Sequence, residues 1–229
     1  HAALVVSSVL LLVLTSVPAG SAAPPPEGVC GVCGSEFERT AEENGIDATV
    51  RASNLTVQVT PDGDSHWTAT ATLNRAAADQ FARNRTLLDR TVRRTYASYR
   101  TVVDDPENLS VTLDDRTVTV TFTVANAAHR YPGGVLVFDE FARYPPDGEA
   151  YNDADTLIVT GPSGTTVTHS PPGSTARGNR AVWTADADRR TSRSQLGREA
   201  TVAFAPDGGL LARAATAAAV RTHALGPIQ

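Results

Sequence analysis

At 229 residues the chain is long enough for one sizeable domain or two small ones, and 41% hydrophobic with 20% charged residues is ordinary for a globular fold. A net charge of −5 and a pI near 5.5 argue against a nucleic-acid partner, which usually leaves a basic surface. All 20 cationic side chains are Arg and none is Lys. Together with abundant Asp, Ala, Thr and Val, that composition fits a GC-rich genome and a salt-adapted protein.

Residues 2–17, AALVVSSVLLLVLTSV, are apolar and uncharged, and they run into the small-residue stretch PAGSAAPPPEG. This order reads as a secretory signal, with cleavage after Ala22 placing Gly20 and Ala22 at the small-residue positions. Residues 1–23 are therefore expected to be a signal peptide or, as second choice, a membrane anchor. The chain starts at His1 without any Met, so a start and a basic leader are expected upstream. A lipid anchor at Cys30 is rejected, because Val29 and Val32 precede the two cysteines where a lipobox needs a small residue.

Residues 24–34 read as a Pro-rich spacer carrying the CxxC pair. A short helix is expected from Ser35, with Ser35 and Glu38 at capping-box spacing and Asn44-Gly45 as the stop. In NLTVQVT, Leu55, Val57 and Val59 alternate with polar residues; after the turn PDGD, so do Trp67, Ala69, Ala71 and Leu73. That period of two on both sides of a turn predicts a hairpin. One long helix is expected from Asn74 to about Tyr99, with Phe81, Leu88, Val92, Tyr96 and Tyr99 as its apolar stripe. A second hairpin follows: Leu109, Val111 and Leu113, then Val118, Val120, Phe122 and Val124, turned at Asp114-Asp115.

The fold class is thus α+β: an antiparallel sheet with one helix in the order ββαββ over residues 35–130, then a β-rich region over 131–206. Its short strands VLVF, TLIVT, TTVT, AVWT and TVAFA suggest a sandwich-like half or strands extending the first sheet. Residues 184–198 read as an Arg-rich loop. Residues 207–229 form an Ala-rich tail, too interrupted to span a membrane, and a hydrophobic continuation beyond it is one expectation.

Cys30 and Cys33 allow four readings, inert thiols among them. As half of a zinc finger they need a His pair about twelve residues beyond the second Cys, where this chain has Gly45, Ile46 and Asp47. Zinc would have to recruit His66, His129 or His169 from distant turns. As a redox pair, Cys33 gains from a following helix N-terminus, but no strand precedes it as in a thioredoxin-like site. The favoured reading is a local disulfide in an oxidising compartment.

Other candidates are weaker. The pairs Asp62/Asp64, Asp153/Asp155 and Asp186/Asp188 lack EF-hand spacing and read as turn residues. GPSGT at 161–165 lacks the last Gly of a nucleophile elbow and reads as a hairpin turn. His129, with Asp139 and Glu140 nearby in sequence, could form an acid/base group, although a structural histidine is the plainer reading. Of the N-x-[ST] sequons, Asn54 and Asn108 are expected glycan sites on polar strand faces, and Asn84, on the edge of the helix stripe, is not.

On CGVCGSEFERTAEENG, VVDDPENLSVTL and GREATVAFAPDGG, the chain resembles exported or membrane-anchored proteins of haloarchaea. The resemblance implies location and lifestyle and no mechanism. The expectation is an extracytoplasmic, secreted or surface-anchored module, non-enzymatic, without cofactor, associated with the membrane and contacting a protein or envelope component. A thiol-dependent redox protein and an extracytoplasmic metal-binding sensor domain are the alternatives.

Overall fold

In the computed structural model of the chain, the residues described are 27–98, 106–142, 150–185, 194–196, 200–206 and 209–224. The alternating segments form the predicted hairpins. Strands β2 (Val50–Val59) and β3 (Ser65–Leu73) pair antiparallel with Leu55 opposite Ala69 and Val57 opposite Trp67. Strands β4 (Glu107–Asp114) and β5 (Thr117–Val124) make the second hairpin, and β5 pairs with β3. Three strands from the later half extend this sheet: β9 (Thr156–Thr160) lies parallel to β2, followed by β12 (Arg180–Thr184) and β11 (Thr175–Arg177). The result is a mixed seven-stranded sheet, β11-β12-β9-β2-β3-β5-β4.

Period-two alternation gives this sheet two unlike faces. Leu55, Val57, Trp67, Ala69, Ala71, Val118, Val120 and Phe122 are buried on one, while Thr56, Thr68, Thr70, Thr119 and Thr121 occupy the other. The apolar face is covered by helices α1 (Ser35–Glu43), α2 (Arg75–Arg83) and α3 (Arg85–Ser98), through Phe37, Ala41, Phe81, Leu88, Val92 and Tyr96.

Helix α1 has the predicted bounds but not the predicted cap. Gly34 is its N-cap, and Glu38 instead accepts the Val50 backbone N–H at 2.7 Å, tying the helix to β2. Its end is a Schellman motif: Gly45 at φ +78° and Ile46 donate to the Glu42 and Ala41 carbonyls. The expected single long helix is two. At Asn84 the backbone leaves the helical region, and the Asn84 Oδ1 accepts the Leu87 N–H at 3.0 Å. One residue therefore ends α2 and N-caps α3. Asn74, at the start of α2, turns its side chain away to bond Thr49 and Asp47.

A second sheet, β10-β14-β7-β6, is antiparallel and built from β6 (Ala128–Tyr131), β7 (Val135–Phe138), β10 (Thr165–His169) and β14 (Val202–Pro206). Its two inner strands are buried on both faces. Leu136, Phe138, Val202 and Phe204 join the main core, where Trp67 stacks on Phe122 at 5.4 Å and meets Phe141 edge-on at 5.7 Å. Val135, Val137, Ala203 and Ala205 face the other way, onto the tail, which is a helix, α4 (Leu210–Ala224), packed through Ala212, Ala215, Ala219 and Val220. A small third sheet joins β1 (Glu27–Gly28), β8 (Ala150–Asn152) and β13 (Ser194–Gln195).

GPSGT is not a hairpin turn. It carries the chain from β9 in the large sheet to β10 in the second, and a Cβ on Gly161 would overlap the Phe204 ring. The corner is closed by that close approach, so the segment has a packing role.

Candidate functional site

Cys30 and Cys33 stand at disulfide distance, with Cα atoms 5.5 Å apart. The backbone reaches this geometry through a tight turn in which Val32 N–H donates to the Cys30 carbonyl around Gly31 at φ +75°. Glycine is required there twice over. A side chain rarely adopts that φ, and a Cβ would lie 2.9 Å from the Tyr96 ring. Three long-range bonds anchor the loop. Val29 N–H donates to the Tyr151 carbonyl at 3.2 Å, Cys30 N–H to Asp153 Oδ1 at 2.9 Å, and the Tyr96 hydroxyl to the Cys30 carbonyl at 2.7 Å.

Both cysteines lie in the main core, Cys30 at 0% and Cys33 at 4% exposure. Thiol–disulfide exchange needs a sulfur open to attack along the S–S axis, and reactive cysteines sit partly exposed. This pair belongs to the same core as Tyr96, Val32 and Phe37 and closes the turn between β1 and α1 within it.

The second cluster was half legible in the sequence. His129 lies on the edge strand β6, and Asp139 follows β7 directly. The antiparallel β6/β7 register pairs His129 with Val137, so Asp139, two residues further on, is its diagonal neighbour, with His129 Nε2 3.5 Å from Asp139 Oδ2. The last turn of α4 adds His223, whose Nε2 lies 2.8 Å from the same oxygen and whose Nδ1 lies 3.0 Å from the Tyr131 hydroxyl. The imidazoles stand 5.2 Å apart between centroids. Exposure grades across the group: the Asp139 side chain is 5% exposed, His223 20% and His129 47%. Burial, and then the nearby Asp139 charge, raise the Tyr131 hydroxyl above the usual phenol range. Glu140 is also buried but lies outside the group. His223 and Tyr131 were missed from sequence; the one available signal was a histidine in the last turn of an Ala-rich helix.

The remaining candidates have structural places. Among the described residues, the only group of three or more His, Cys, Asp or Glu side chains close enough to share an ion is His129, Asp139 and His223. The structure thus does not bring His66 or His129 to the cysteines. His66 stands exposed on the threonine face beside Thr123. Asp153 anchors Cys30, and Asp155 exchanges hydrogen bonds with Ser53 at 2.9 and 3.1 Å. Asp64 accepts the Asn126 N–H at 2.9 Å, and the Thr60 hydroxyl, above all, holds Asp62 below the usual carboxylate range. Asp186/Asp188 and the apolar leader lie outside the described residues. Asn54 is exposed on β2, and Asn108 is exposed at φ +56° beside a register shift in edge strand β4. Asn84, expected at the edge of the helix stripe, is exposed at the α2/α3 break. Among the described residues no helix is long and apolar enough to cross a membrane.

No family model matches this chain, and no curated protein matches its sequence.

Proposed function

We propose that the chain is an exported, non-catalytic binding module of the cell surface, held together at its entry by the Cys30–Cys33 staple. The observation that carries this reading is the buried cysteine pair, at disulfide distance in the turn between β1 and α1. Disulfides persist in oxidising surroundings, and the apolar run 2–17 followed by small residues is what an export signal requires. Burial of both sulfurs argues against the thiol-exchange alternative. The exposed sequons Asn54 and Asn108 suit a glycosylated surface. Of the two edges of the large sheet, β4 is blunted by its bulge and by Asn108. The exposed edge strand β11 and the loops around His129 are then the contact region for a protein or envelope component.

The test is trypsin shaving of intact cells, well suited to a chain with 20 Arg. Peptides from residues 50–224 should be released without lysis, and the mature N-terminus should lie near residue 23. Recovery only after lysis, with the leader uncut, overturns the reading.

A further inference from the structure

We infer that His129, Asp139 and His223 form a site for one divalent transition-metal ion, held by two imidazole Nε2 atoms and one carboxylate oxygen, and that the ion latches helix α4 onto the second sheet. This inference is independent of where the protein resides.

The donor set speaks first. Two imidazoles with a carboxylate suit zinc, nickel, cobalt or copper, whereas magnesium and calcium take oxygen alone. The spacing speaks next. Ligand atoms about 2.0–2.1 Å from a shared ion, at tetrahedral or octahedral angles, lie about 2.9–3.4 Å from one another. Here the two His–Asp separations are 2.8 and 3.5 Å, and all three atoms lie within 4.8 Å. The His129 side chain is 47% exposed, so the group borders solvent and water can complete the coordination of the ion. The supporting shell is present as well. A ligating imidazole ordinarily engages its other nitrogen, and the Tyr131 hydroxyl lies 3.0 Å from His223 Nδ1. Binding at Nε2 leaves the Nδ1–H to donate to that oxygen. His223 also sits in the last turn of α4, where the helix dipole favours positive charge.

The consequence for α4 follows from its packing. It meets the sheet mainly through alanines, Ala212, Ala215 and Ala219 against Ala203, Ala205, Val135 and Val137. Such contacts bury little area per residue. An ion shared by His223 with His129 on β6 and Asp139 just after β7 ties the last turn of the helix to the second sheet.

The test uses the untagged full chain, stripped with chelator and titrated with zinc chloride by calorimetry and by thermal melting, with magnesium and calcium chloride as controls. One zinc per chain should bind and raise the melting midpoint, and the controls should do neither. His129→Gln alters an exposed side chain and should leave the fold intact while weakening zinc at least tenfold. His223→Ala should abolish the midpoint shift, and Tyr131→Phe should weaken binding about tenfold. Absence of zinc binding at neutral pH, or binding unchanged in His129→Gln, overturns the proposal even if His223→Ala fails to fold.

Discussion

The Tyr96 hydroxyl donates a 2.7 Å hydrogen bond to the carbonyl of Cys30, joining α3 to the staple across 66 positions of sequence. Burial first, and the Asp153 carboxylate second, hold that phenol far above its ordinary value of 10.0. The sign of the linkage is fixed by that direction. Above about pH 10 the unfolded chain releases the Tyr96 proton and the folded chain does not. The stabilisation is therefore complete below pH 10 and declines as the medium becomes more alkaline, by up to about 1.4 kcal/mol per pH unit. With no Lys in the chain, few other groups titrate there. Denaturant midpoints measured at about pH 8 and about pH 11 should fall steeply in the native chain and less steeply in Tyr96→Phe. Some slope should remain from Tyr131, whose phenol is raised in the same direction. At neutral pH, Tyr96→Phe should cost about 1 kcal/mol, the usual value of one internal hydrogen bond.

Gly31 and Gly45 make a matched pair. Both hold positive φ, +75° and +78°, but a Cβ on Gly31 meets the Tyr96 ring at 2.9 Å and one on Gly45 meets nothing within 4 Å. Gly45→Ala should therefore cost only the left-handed backbone penalty, about 1–2 kcal/mol. Gly31→Ala should cost about 2–4 kcal/mol, because ring displacement adds to it. Equal losses in equilibrium unfolding would show that the Tyr96 ring yields freely.

Removing α4 should expose the Val135, Val137, Ala203 and Ala205 face that it covers. A chain ending at Pro206 is expected to bind a hydrophobic dye and to self-associate, since exposed apolar patches on sheets do so. A monodisperse, dye-silent product would mean that this face needs no cover.

Asn84→Ala removes the side chain that caps α3 while leaving an exposed position. A loss of about 1 kcal/mol in stability is expected. Mass analysis should find sugar at Asn54 or Asn108 and none at Asn84, whose side chain is held against the first turn of α3 through its Oδ1.

The hairpins were legible because their strands bury one face only, so Leu55-Val57-Val59 and Val118-Val120-Phe122 alternate cleanly with polar residues. β7 and β14 gave no such pattern. VLVF and VAFA are apolar at every position because Phe138 and Phe204 enter the main core while Val137 and Ala203 face α4. A run buried on both sides implies a further layer, and the Ala-rich tail was that layer. The helix break hid inside Asn84-Arg85-Thr86, where the cap depends on a side-chain rotamer that spacing cannot reveal. The capping-box reading of Ser35 and Glu38 failed for the same reason, since Glu38 found Val50 instead. His129 and Asp139 could be paired through their nearness in sequence. His223 meets Tyr131 across 92 positions, a contact that exists only once α4 docks.

Thiol alkylation followed by mass measurement, on protein purified from its own cells, goes most directly to the claim that the staple is built into the core. Without reductant the folded chain should take up no label, and with a mild reductant it should still take up none until denaturant opens the domain. Two labels on the folded, unreduced chain would contradict the account.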